Sequence, residues 1–143
     1  MNASNGPQPC VGIIEDDDSL RRSLGRLLRA AGFQAVAYSS AEQLLADDKR
    51  PRFDCLIVDI QLGGMSGIEL SRQLAASGSV TPVVFNTVCD ERDLREKALR
   101  AGGAAFLQKT DLGEKMLMAI QNAIGANALR ENRSSAWPRA DAP

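Results

Sequence analysis

Residues 55–58 read Cys-Leu-Ile-Val, and the next residue is Asp59. Four apolar residues in a row are too few for a helix, and they lack the polar alternation of a half-exposed strand. They predict a strand buried on both faces, as in a parallel sheet between two layers of helices. The same pattern recurs along the chain. Cys10 to Ile14 is apolar and empties into four acids, Glu15 to Asp18. Phe33 to Tyr38, Pro82 to Phe85 and Ala104 to Leu107 are the other strand candidates.

Helical spacing fills the gaps between these runs. Leu20, Leu24, Leu27, Leu28 and Ala31 fall on one face, and Gly32 follows as a stop signal. The opposite face carries Arg21, Arg22, Arg26 and Arg29, read as a solvated surface. Ser40 with Gln43, and Ser66 with Glu69, have the spacing of a capping box and open two further helices. Leu94, Ala98 and Leu99 mark a fourth helix, and Asp111 with Glu114 caps a fifth. Five strands alternating with five helices imply a parallel sheet with right-handed crossovers and helices on both faces.

Chemistry in such sheets collects at the carboxyl ends of the strands. The first strand ends in Glu15 and Asp16, the third in Asp59, the fourth in Asn86 and Thr87, and the fifth near Lys109. Three carboxylates share a small site in ionised form only when a cation cancels their repulsion. A hard divalent ion, magnesium foremost, takes such oxygen ligands together with phosphate oxygens. A carboxylate beside it can attack phosphorus. The chain contains no histidine, which excludes Ser-His-Asp and Cys-His catalysis and phosphohistidine chemistry on this chain.

These residues resemble the receiver domain of two-component response regulators. The resemblance rests on Ile13-Ile-Glu-Asp-Asp-Asp18, Leu56-Ile-Val-Asp59, Gly64-Met-Ser-Gly67 and Lys109, and it covers about residues 10–126. It implies a flavodoxin-like (βα)5 three-layer α/β sandwich with a parallel five-stranded sheet of order 2-1-3-4-5. It also implies that Asp59 is the phospho-acceptor and that Mg2+ is the cofactor. The ion would be held by Glu15, Asp16, Asp59 and the backbone carbonyl of Gln61. Thr87 and Phe106 occupy the switch positions, Lys109 pairs with the phosphate, and Gln61 and Cys89 sit where the family tunes phosphoryl lifetime. Asn86 is the other candidate for the switch hydroxyl's place, and spacing from Asp59 and Lys109 favours Thr87.

The implied function is a signalling receiver that catalyses only its own phosphorylation and dephosphorylation. Its donor would be a sensor histidine kinase or a histidine phosphotransfer protein. Its output would be a protein partner bound through the face of the fourth helix, fifth strand and fifth helix. A homodimer through the fourth-helix face and a monomer are both compatible. The alternative is a pseudo-receiver that acts as a scaffold without phosphorylation. A phosphatase of related fold would place an acid at position 61, and four acids after the first strand would repel a flavin phosphate.

Four departures from the family stand out. Gly63 occupies a common proline position, and Thr110 follows Lys109 where proline is usual. Val88 replaces a small residue after Thr87, so its branched bulk is expected to crowd Asp59. Cys89 comes next.

The net charge of −1 argues against direct binding to nucleic acid. No stretch approaches the ~20 apolar residues of a membrane span. Cys10, Cys55 and Cys89 have no metal or disulfide spacing, which fits a reduced cytoplasmic setting. Residues 1–9 are expected to be a disordered leader and residues 127–143, with Trp137, a disordered tail. Too little chain follows Ala126 for a DNA-binding domain, so a stand-alone receiver is the expectation.

Overall fold

The structure, a computed structural model, describes residues 8–88, 92–109 and 113–141, with side chains to residue 129. Cys89, Thr110 and Asp111 lie outside the described residues, as do residues 1–7 of the expected leader and the side chain of Trp137. Five strands alternate with five helices: β1 (Cys10–Ile14), α1 (Asp18–Ala30), β2 (Gln34–Tyr38), α2 (Ala41–Ala46), β3 (Cys55–Asp59), α3 (Gly67–Ala76), β4 (Val83–Thr87), α4 (Arg92–Arg100), β5 (Gly103–Gln108) and α5 (Glu114–Asp141). All strand pairs are parallel, in the order β2-β1-β3-β4-β5. This is the flavodoxin-like order that the family resemblance implied.

The unbroken apolar runs are explained by the two cores they feed. Successive side chains of a strand point to opposite faces. Val11, Ile13, Cys55, Ile57 and Val84 pack on one face with Leu24 and Leu28 of α1 and Met116 and Ile120 of α5. Ile14, Leu56, Val58, Val83 and Phe85 pack on the other with α2, α3 and α4. β1, β3 and β4 are buried at every position, whereas β2 and β5 are partly open edge strands.

The helix starts follow the capping signals. Asp17 caps α1 by accepting from the Leu20 N–H at 3.0 Å. Ser40 accepts from the Gln43 N–H at 3.0 Å, and Ser66 from the Glu69 N–H at 3.1 Å. Gln43 reaches back one residue further than a capping box requires, accepting from the Ser39 N–H at 2.7 Å.

Strand boundaries differ from the sequence reading by one or two residues, and the end of α5 by more. Asn86 and Thr87 belong to β4 itself, because parallel pairing with β3 and β5 extends the ladder to them. α5 continues to Asp141, where the composition led us to expect an irregular tail after Ala126. Ala128, Leu129, Arg130 and Glu131 are strong helix formers and extend the helix past Ala126.

Candidate functional site

The reversal of strand order lies between β1 and β3, and the acids converge there. β1 delivers Glu15, which continues the ladder by donating its N–H to the Tyr38 carbonyl at 3.1 Å. Asp16 follows at the surface. β3 delivers Asp59. Glu15 is 1 % exposed and Asp59 3 %. Glu15, Asp16 and Asp59 each place one oxygen within 4.8 Å of the others.

Lys109 closes the pocket from β5. Its backbone N–H donates to the Thr87 carbonyl at 2.8 Å, which aligns it beyond the strand end. Its ammonium donates to Asp59 Oδ2 at 2.9 Å and to Glu15 Oε2 at 3.1 Å. Glu15 Oε1 also lies 3.1 Å from the ammonium, an ion pair without a hydrogen bond. Asp59 Oδ1 accepts from the Gln61 N–H at 3.0 Å. One lysine therefore faces two buried carboxylates, with a third carboxylate at the rim. The set is short of positive charge, and a buried Glu15 oxygen accepts no hydrogen bond. Both features suit a divalent cation with oxygen ligands.

The titration behaviour reflects this imbalance. Burial pushes the Glu15 carboxyl above its ordinary value, against the opposing Asp17 N–H and Lys109 ammonium. Burial pulls the Lys109 ammonium down, but its hydrogen bonds to Asp59 and Glu15 outweigh that and hold it above its usual value. Glu15 thus binds its proton more tightly in the folded state than in the unfolded chain. The stability it confers is greatest in acid and declines as pH rises from about 4.5 through the raised folded value. Urea titrations across this window should show that decline in metal-free protein. Glu15→Gln should flatten it, and an unchanged slope in that variant would refute the assignment.

The sequence reading overlooked two supporting residues. Arg21 was assigned to a solvated face, yet its guanidinium donates to the Glu15 carbonyl at 2.9 Å and pairs with Asp18. Its i+6 spacing from Glu15 carries no pattern that periodicity would flag. Glu42 of α2 accepts from the Met65 N–H at 2.8 Å, so it grips the loop after β3 from across the fold.

The switch candidates lie on the other side of the sheet. Thr87 is fully buried, and pleat alternation places it on the face of Phe85. Phe106 is half-buried on that same face, with the Arg95 guanidinium 5.1 Å from its ring centre. Val88 is 69 % exposed. Gln61 is exposed, as is Gly63, which lies 3.9 Å from Asp16 at the Cβ position a side chain would take.

Fold and site together define a doubly wound α/β protein with an acidic pocket at its topological switch point. The chain belongs to the response regulator receiver domain family, whose model matches residues 11–121. It is 33% identical over 110 residues to nodulation protein W of Bradyrhizobium diazoefficiens, covering 77% of this chain and 48% of that protein. Among solved structures, the response regulator StyR is 34% identical with a TM-score of 0.81, covering 94% of this chain and 68% of StyR. The FixJ-N structure is 28% identical with a TM-score of 0.77, covering 84% of this chain and 96% of FixJ-N. The chain spans about half the length of the curated relatives it matches. As a receiver domain it is a signalling module rather than an enzyme in the usual sense. Among the described residues no helix is long and apolar enough to cross a membrane.

Proposed function

We propose that this receiver accepts a phosphoryl group onto Asp59 in a Mg2+-dependent reaction and changes its protein contacts as a result. The observation that carries this reading is the Lys109 ammonium, 2.9 Å from Asp59 Oδ2 in a pocket shared with two further acids. All the proposed acceptor groups lie between Glu15 and Lys109, so a self-contained module is enough for acceptance.

Glu15, Asp16, Asp59 and the Gln61 carbonyl would hold the Mg2+. The ion would neutralise charge on the transferring phosphoryl group. The Gln61 N–H and the Lys109 ammonium fix the orientation of the Asp59 carboxylate before transfer. An Asp59 oxygen would form the new O–P bond as the N–P bond of a donor phosphohistidine breaks. Lys109 would then follow the charge, moving from the carboxylate to a phosphoryl oxygen. Thr87 is the last residue of β4, and its hydroxyl would swing round the strand end to hydrogen-bond another phosphoryl oxygen; the space it leaves would let Phe106 turn inward. That movement would change the surface of α4, β5 and α5, the face offered to a downstream partner. Gln61 and Cys89 would set the phosphoryl lifetime. A sensor histidine kinase or a histidine phosphotransfer protein in the cytoplasm is the fitting donor.

Intact-mass spectrometry after incubation with acetyl phosphate tests the reading. We expect a single phosphate adduct that requires both Mg2+ and Asp59 and is absent in Asp59→Asn. No adduct under any condition would instead assign a pseudo-receiver that works as a scaffold.

A further inference from the structure

Asn86 is 1 % exposed, and among the described residues neither its Nδ2 nor its Oδ1 has a hydrogen-bond partner. A buried amide with all its hydrogen bonds unmade is rare in a native fold and demands a reason. Its position supplies one. Asn86 is the register partner of Asp59 on one side and of Leu107 on the other. Neighbouring strands lie ~4.8 Å apart, so the amide starts one strand from the acceptor carboxyl.

The faces agree as well. Ile13, Ile57, Val84 and Leu107 all pack toward α1 and α5. Glu15, Asp59, Asn86 and Lys109 each lie two residues further along their chains, and strand alternation gives them that same side. A row of carboxylate, carboxylate and amide therefore crosses the sheet beneath the lysine. In the unmodified protein both Asp59 oxygens already have donors, the Gln61 N–H and the Lys109 ammonium. Neither of them accepts from the Asn86 amide.

We propose that Asn86 is a ligand of the modified acceptor: its amide N–H donates to the unphosphorylated side-chain oxygen of Asp59 once Lys109 moves from that oxygen to the phosphoryl group. This rests on the phospho-acceptor reading above. The unmet amide disfavours the unmodified state, and its hydrogen bond favours the modified one. A residue shifts a two-state equilibrium only through such a difference.

The test uses Mg2+ with beryllofluoride, a non-covalent phosphoryl mimic, and compares wild type with Asn86→Val and Asn86→Thr. Valine and threonine share a shape and differ by a hydroxyl. Without the mimic, Asn86→Val should melt roughly 5 °C above wild type, because a buried unmet amide is gone. Its affinity for the mimic should fall about tenfold, the loss of one hydrogen bond at a charged site. Asn86→Thr should keep part of that affinity. Valine and threonine variants that both bind as wild type does would overturn the proposal and leave Asn86 a buried cost. A wild type that neither binds the mimic nor takes up acetyl phosphate would overturn the acceptor reading itself.

Discussion

Lys109→Met should destabilise the metal-free protein by about 3 kcal/mol at neutral pH, since removing one partner of a buried ion pair leaves the other charge uncompensated. Here one ammonium serves two carboxylates, Glu15 and Asp59, which are 1 % and 3 % exposed. Methionine keeps the length and the apolar stem of lysine, so little of the loss is packing. Without the ammonium, two like charges share a pocket with little water, and one of them must take up a proton. The Glu15 carboxyl, already pushed up by burial, is the one expected to do so. Two controls separate charge from shape. Saturating Mg2+ should return most of the lost stability, because it supplies positive charge to the same oxygens. Adding Glu15→Gln to the methionine variant should also restore stability. Urea midpoints for these three proteins, with and without Mg2+, decide the matter. A methionine variant within 0.5 kcal/mol of wild type, on the order of an ordinary surface change, would mean that the pocket is far wetter than its burial indicates.

The second large effect is expected at Gly67, the first residue of α3. Its N–H donates to the Ile60 carbonyl at 3.0 Å, which seats the helix directly on the end of β3. A Cβ at this position would lie 2.3 Å from the Asp59 carbonyl oxygen and 2.8 Å from Val58 Cγ1. The closest obstacle is backbone, which cannot swing away as a side chain end can. Either α3 or the end of β3 must shift, and β3 carries the proposed acceptor, Asp59. Gly67→Ala should therefore cost about 3 kcal/mol, the upper range for overpacking a core. It should also slow adduct formation, because Asp59 moves relative to Lys109. Gly125 in α5 provides the contrast, since a Cβ there would meet nothing within 4 Å. Gly125→Ala should add up to ~1 kcal/mol through helix propensity alone. Equal and small effects at the two glycines would show that α3 docks more loosely than this contact implies.

The amino-acid sequence by itself determined the architecture and the candidate site. Runs such as Cys55 to Val58 could be stable only as strands covered on both faces, and the leucines of α1 only as a helix against one of them. Ser66 and Ser40 announced their helices because a cap is a local bond, made within three residues. The acids and the lysine were legible because each follows an apolar run, and parallel strands bring their carboxyl ends together. Only the tertiary structure decided which groups touch. Local patterns carry no information on a 94-residue separation such as Lys109 to Glu15, on Glu42 holding the Met65 N–H, or on Arg21 turning from solvent to the Glu15 carbonyl. Nor could they show that Asn86 stands beside Asp59 with its amide unmet, because strand register is set by the packing of whole faces rather than by neighbours in the chain.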